Sequence, residues 1–261
     1  TIDEFKVIFY WEYFHRILAR FIGIFFLIPL VYFYLSKKIK SEYLRLCYLI
    51  LALIILQGTI GWYMVKSGLV NDITVSHYRL SIHLLTAILI ISIIFWLIKN
   101  ISANKNKDFF KFTLKNLPFL LFIFLIFTQI AFGAFVSGLD AGNIYQTWPK
   151  MNDSFIPNDL YVENFTQILD LNNHSLVQFY HRSLAYIITL YALYLAIFIY
   201  IKKILELYKP YLIVLFLLLL QIALGIFTLI SGLNIYLAST HQITSVLLVL
   251  SAINLYFLRV K

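Results

Sequence analysis

Charge and cysteine are both scarce in this chain. Only 13% of its 261 residues are Asp, Glu, Lys or Arg, where soluble domains carry about 25%. So few charges cannot cover a water-facing surface, which excludes a disordered chain, a nucleic-acid arm and most soluble enzymes. The single cysteine, Cys47, excludes an internal disulfide and thiolate clusters for zinc or iron–sulfur centres. No Cys-x-x-Cys-His run is present, so covalent haem attachment of that kind is excluded too. Acids are outnumbered, 12 against 21 Lys and Arg, for a net charge of +9. In so apolar a chain that excess is topological, and no nucleic-acid partner is expected.

What is abundant is apolar side chain, 62% of the residues. The lipid bilayer is the natural solvent. Continuous apolar runs fall at roughly 17–35, 46–64, 80–98, 117–136, 184–201, 211–231 and 243–258. Each matches the roughly 20 residues that a spanning helix needs. Barrel strands would be shorter and alternating, so a β-barrel is rejected. Helical extensions are expected before several runs, from about Glu4 and from Gln178. The fold class expected is an all-α integral membrane protein.

Basic residues alternate with the spans. Segments 36–45, 99–115, 202–209 and 258–261 hold 14 Lys and Arg against three acids, and the rest of the chain holds seven against nine. The positive-inside rule places those segments in the cytoplasm or matrix, with the C-terminus inside and Thr1 outside. The longest outer connection, about 137–177, is expected to be a functional lid or partly ordered.

An internal repeat is visible. Glu12-Tyr13-Phe14-His15-Arg16 resembles Gln178-Phe179-Tyr180-His181-Arg182. Leu56-Gln57 through Ser67-Gly68-Leu69 resembles Leu220-Gln221 through Ser231-Gly232-Leu233, with Gly61 matching Gly225. His83 and His241 then both fall near the outer starts of their spans. The second unit has four spans and the first has three. The span ending Gln129-x-x-x-Gly133 has no counterpart, so an eighth, N-terminal helix is expected that this chain lacks. The expected architecture is two repeat-related four-helix bundles, residues 1–110 and 111–261.

The repeat yields four histidines at one depth: His15, His83, His181 and His241. Ionisable groups inside a membrane are costly and usually functional. Two repeat-related pairs suit bis-imidazole ligation of two haem irons in a helical bundle. A zinc site would want three or four ligands together, with carboxylates or thiolates. His77 and His174 are read as solvated loop residues. Arg16 and Arg182 follow the first histidine of each pair, and Arg20 shares a face with Arg16. These three, with Arg79, are candidates to pair haem propionates, because a guanidinium forks onto a carboxylate. The bland alternative is snorkelling to headgroups.

Glu12 is three residues before His15, so both lie on one helical face. A carboxylate there is expensive unless paired, and Arg16 at i+4 can hold it ionised. The equivalent position in the second unit is Gln178. One site with a carboxylate and one without point to a reactive site and an electron-transfer site.

With these residues in hand, the chain resembles the haem A synthase family, of the mitochondrial and proteobacterial branch. The resemblance rests on Glu12–Arg16, Met64-Val65-Lys66-Ser67-Gly68-Leu69 and the Tyr78-Arg79-Leu80 to His83 run. It continues through Gly133-Ala134-Phe135-Val136-Ser137-Gly138-Leu139-Asp140-Ala141-Gly142, Thr147-Trp148-Pro149 and Gln178–Arg182. A cysteine pair that marks another branch is absent. The family has eight helices.

The resemblance implies an oxidoreductase acting on a C–H group. Its members oxidise the ring methyl of haem O twice, through a gem-diol, to the formyl group of haem A used by cytochrome oxidase. It implies haem O as substrate between His15 and His83, haem b as cofactor between His181 and His241, and Glu12 as the catalytic residue. Haem O synthase, the protohaem farnesyltransferase, is implied as donor; the electron acceptor is unassigned, and a homo-oligomer is allowed. The location expected is the bacterial inner membrane, with the mitochondrial inner membrane as alternative. The Asp140–Gly142 turn and Trp148-Pro149 lie on the same outer side and are read either as a cover over the propionate edge or as a tight loop with an interfacial aromatic anchor. The alternative function is a di-haem b cytochrome relaying electrons from quinol. Such bundles commonly carry two ligands on one helix, whereas here each helix carries one.

Overall fold

The computed structural model describes residues 2–68, 75–160 and 164–260. Thr1, Leu69 at the end of the Met64–Leu69 motif, and Lys261 of the basic set lie outside the described residues. Eight helices follow in order: α1 (Ile2–Leu35), α2 (Ser41–Gly68), α3 (His77–Ser102), α4 (Leu117–Gly138), the single turn α5 (Phe165–Ile168), α6 (His174–Ile201), α7 (Tyr208–Ile230) and α8 (Ile235–Arg259). All except α5 are long and apolar enough to cross a membrane. The chain is a multi-pass, all-α membrane protein. Among the described residues there is no strand, only one bridge between Met151 and Ser154.

The helices form where the apolar runs are, and hydrogen bonding decides their ends. In lipid each backbone polar group must be satisfied within the segment, which selects helix. Asn173 caps α6 by accepting from Leu176 N at 3.0 Å. Asn234 caps α8 by accepting from Tyr236 N at 3.0 Å. Each cap stabilises its helix by about 1 kcal/mol. Hydroxyls inside the spans are satisfied locally: Thr86, Thr128, Thr189 and Thr228 each donate to a carbonyl four residues back. Pro29 is tolerated inside α1, as prolines are in spanning helices. Met64 to Gly68 form the end of α2, which runs through Gly68.

Packing is sequential with one closure. α4, α6, α7 and α8 form a ring in which each helix packs on two neighbours. α1 packs on α2 and α2 on α3, in an open row. α3 joins the two sets by packing on both α4 and α8. Its Trp96 is 2% exposed, lies 5.6 Å from the Tyr256 ring and donates through its indole N–H to Lys107 O at 2.9 Å. A second, smaller core joins Leu30 of α1, Cys47 and Ile50 of α2, and Ile90 and Leu97 of α3.

The basic connections gather at one end. Lys40 donates to Asn104 at 2.9 Å, Tyr43 to Lys105 O at 3.2 Å, and Arg259 to Lys115 O at 3.3 Å. Lys107 donates to the carbonyls of Phe257 and Val260. Burial followed by neighbouring lysines pushes the Lys107 ammonium down from its ordinary value. The lid and all four candidate histidines belong to the opposite half of the helices.

Candidate functional site

His15, His83, His181 and His241 stand on α1, α3, α6 and α8. Neither α1 with α3 nor α6 with α8 forms a packing seam; each pair is separated by an intervening helix. Yet His15 lies within electrostatic reach of His83, and His241 of His181. The two imidazoles of a pair are thus near enough to interact although their helices do not pack on each other. Two such pairs are what bis-imidazole ligation of two haems would call for.

Each of three histidines is seated against the preceding spanning helix in the same way. On α2, Gln57 Nε2 donates to His83 O at 3.1 Å. On α4, Gln129 Nε2 donates to His181 O at 3.0 Å. On α7, Gln221 Nε2 donates to His241 O at 2.9 Å. Four residues after each glutamine is a glycine. A Cβ on Gly61 would lie 3.0 Å from His83 Cε1, on Gly133 3.1 Å from His181 Cε1, and on Gly225 3.1 Å from His241 Cε1. One helical turn thus carries both the clamp on the histidine backbone and the room for its ring. The glutamines and glycines were visible in the sequence only as matching landmarks; their job needs the facing helix.

The donor set suits haem iron. His83 Nδ1 and His241 Nδ1 are buried without a hydrogen-bond partner, an expensive state that coordination would relieve. Among the described residues no group of three or more His, Cys, Asp or Glu could hold a bare metal ion.

Glu12 and Gln178 differ in more than chemistry. Glu12 is exposed and accepts from Arg16 Nη2 at 2.7 Å, the i,i+4 pair expected from the sequence. Gln178 is 2% exposed; its Nε2 donates to Tyr145 O at 2.9 Å and its Oε1 has no partner. Arg182 likewise is turned to the lid. Its Nη2 donates to Tyr145 O at 2.6 Å, and its Nη1 to Thr147 O at 2.9 Å and Lys150 O at 3.3 Å. Arg20 is exposed on α1, and Arg79 lies 5.0 Å over the Tyr63 ring.

The described residues of the lid form a hydrogen-bonded cap. Asp159 accepts from Tyr145 and from Ser175, each at 2.5 Å. Burial works against the charged Asp159 carboxyl, but the Ser175 and Tyr145 hydroxyls win and hold it below its ordinary value. Burial, then the Asp159 carboxylate, pushes the Tyr145 phenol up. Tyr180 donates to Ile168 O at 2.6 Å. Gly142 lies so close to Leu233 that a Cβ would stand 2.8 Å from Leu233 Cδ2, which joins the lid to the α7–α8 turn. A pocket of about 210 Å³ remains beneath it, lined by Met151, Phe179, Arg182 and Tyr186 among others.

One expectation is corrected. His77 is not a solvated loop residue but the first residue of α3, 6% exposed, with its ring 5.4 Å from that of Phe135 and its Nε2 unpartnered. His174, read in the same way, is exposed as expected but stands as the first residue of α6. Apolar neighbours from α4 bury His77, and its own span gave no sign of them.

Comparison with known proteins agrees with this geometry. Residues 1–253 match the family model COX15-CtaA, described as cytochrome oxidase assembly protein. A "Heme A synthase" of Pelagibacter ubique is 50% identical over 259 residues, covering 99% of this chain and 74% of that protein. Proteins of the same name from Rickettsia felis and Wolbachia pipientis are 37% and 38% identical, over 99% of this chain and 77% and 72% of theirs.

Proposed function

The chain belongs to the cytochrome oxidase assembly protein family COX15-CtaA, and from that membership we propose how its own residues carry out haem A synthesis. The enzyme is an oxidoreductase that converts the ring methyl of substrate haem O to the formyl group of haem A. Residues 1–110 form the substrate unit, in which His15 and His83 would hold haem O. Residues 111–261 form the second unit, with His181 and His241 as ligands of a resident haem b. When bound, that haem supplies one-electron redox chemistry.

The observation that carries this reading is the unequal equipment of two matching positions. Glu12 shares a helical face with His15 and is held near its guanidinium partner Arg16 at 2.7 Å. It can take up a proton released as the methyl is oxidised, or offset positive charge developing there. Gln178 can do neither and is spent on pinning the lid. Arg16, Arg20 and Arg79 offer guanidinium groups to propionates. Arg182 braces the lid that closes over the same edge.

Haem O synthase is the natural donor of so apolar a substrate, and the bacterial inner membrane is the location that the bacterial relatives support. The test is haem extraction from membranes of a host that makes haem O but no haem A. Haem A in the extract supports the enzyme. Bound haem b with no haem A, despite a haem O supply, supports the electron relay instead.

A further inference from the structure

Turning a ring methyl into a formyl group removes four electrons from the carbon, and one iron holds one electron at a time. Haem A synthesis therefore needs a carrier that takes electrons away. The cavity of about 210 Å³ beneath the lid is placed to receive one. Its walls include Met151 and Phe155 of the lid and Phe179, Arg182, Ser183 and Tyr186 of α6. Ser183 is two residues beyond His181, so the cavity and the histidine lie on opposite sides of that helix. The cavity face continues down the span as the exposed stripe Leu190, Leu193 and Ile197, and Phe155 and Tyr186 are themselves exposed. The cavity thus opens to the outer edge of the bilayer.

Its polar groups are unequally engaged. The Arg182 guanidinium is taken by the carbonyls of Tyr145, Thr147 and Lys150. Among the described residues, no partner hydrogen-bonds the hydroxyl of Ser183 or of Tyr186. Thr86, Thr128, Thr189 and Thr228 each satisfy theirs on a carbonyl four residues back, and Ser183 does not. A phosphate would call on the guanidinium. Two neutral hydroxyls between aromatic walls suit instead a flat, neutral ring that carries oxygens and trails an apolar tail.

We propose that this cavity binds a quinone from the bilayer, with the Ser183 and Tyr186 hydroxyls donating to the ring oxygens. The ring takes electrons from the haem b site across α6, a helix about 10–12 Å thick with its side chains. Methyl to formyl, with one water supplying the oxygen, releases four electrons and four protons. Two quinones reduced to quinol take up all of them, the protons through the outer water. This rests on haem A synthesis as the function and on the assignment of haem b to His181.

The test uses the full-length protein, an azido-benzoquinone photolabel and decylubiquinone, a short-tailed benzoquinone. Label is expected within residues 149–156 or 179–186. Decylubiquinone should compete it away and excess phosphatidylglycerol should not. Ser183→Phe, which fills the cavity, should cut labelling about tenfold or more, a loss of roughly 1.4 kcal/mol or more in binding. Labelling elsewhere, competition by phosphatidylglycerol, or undiminished labelling in Ser183→Phe overturns the site. In protein loaded with haem b and reduced by stoichiometric dithionite, decylubiquinone should reoxidise the haem band. Ser183→Phe should slow that step with the haem b spectrum unchanged, and an equal rate overturns the electron transfer. If Ser183→Phe does not accumulate in membranes, Ser183→Ala combined with Tyr186→Phe takes its place under the same criteria. Labelling needs no haem, so the parent reading fails separately, if His181→Leu keeps the wild-type haem b spectrum or haem O yields no haem A.

Discussion

Gly133 on α4 faces His181 on α6 so closely that a Cβ at Gly133 would stand 3.1 Å from His181 Cε1. The ring occupies that place because residue 133 has no side chain, and the same holds for Gly61 with His83 and Gly225 with His241. Neighbouring Gly58 on α2 has nothing within 4 Å of its added Cβ.

That contrast gives a paired test. Gly133→Ala forces the His181 ring to give by a few tenths of an ångström, and haem b is expected to bind with a shifted spectrum. Gly133→Leu has no room and should abolish haem b binding. Gly58→Ala is expected to be neutral in activity and to stabilise α2, since alanine in a helix is favoured over glycine by about 1 kcal/mol. Haem content and thermal unfolding in detergent check all three.

Glu12→Gln should leave the protein in the membrane with its haem b, yet reduce conversion of haem O to haem A by about 100-fold or more, the scale of a lost general acid–base group. Chromatography of extracted haems measures it. Undiminished haem A would remove Glu12 from the chemistry.

His181→Leu and His241→Leu should each strip haem b, while His15→Leu should keep haem b and lose haem A formation. Optical spectra of purified variants decide between this and the reverse assignment, in which haem b disappears with His15.

Arg182→Leu removes three N–H···O=C contacts to Tyr145, Thr147 and Lys150. The two to Thr147 and Lys150 are exposed and contribute little, while the part-buried bond to Tyr145 O is the stronger of the three, so the lid should loosen. Limited proteolysis between Tyr145 and Lys150 is expected to speed up at least tenfold, and Arg182→Lys should recover only part of the protection.

Lid order should also depend on acid. The Asp159 carboxyl is held below its ordinary value of 3.8 by Ser175 and Tyr145, against the pull of burial. A folded-state value below the unfolded one contributes order that is fully present above the unfolded pKa and is lost as pH falls through the folded one. Amide exchange in the 145–160 segment should therefore rise below about pH 4. Asp159→Asn should show that faster exchange at neutral pH and a flatter profile.

Much of this was legible in the residues themselves. Seven apolar runs of about 20 residues determined seven spanning helices, because lipid leaves a backbone no other way to satisfy its polar groups. Alternating lysines determined which connections share an end, and spacing alone put Glu12 beside Arg16. What the tertiary structure alone decided is which side chains meet across helices. Periodicity reports one helix face and says nothing of the neighbour it lies against. Only packing therefore shows that glycines and glutamines on α2, α4 and α7 seat the histidines of α3, α6 and α8. Packing likewise buries His77 at the start of α3, and it turns Gln178 and Arg182 to the lid. Neighbours far apart in the chain are chosen by shape and by unmet hydrogen bonds, and those exist only once the helices have come together.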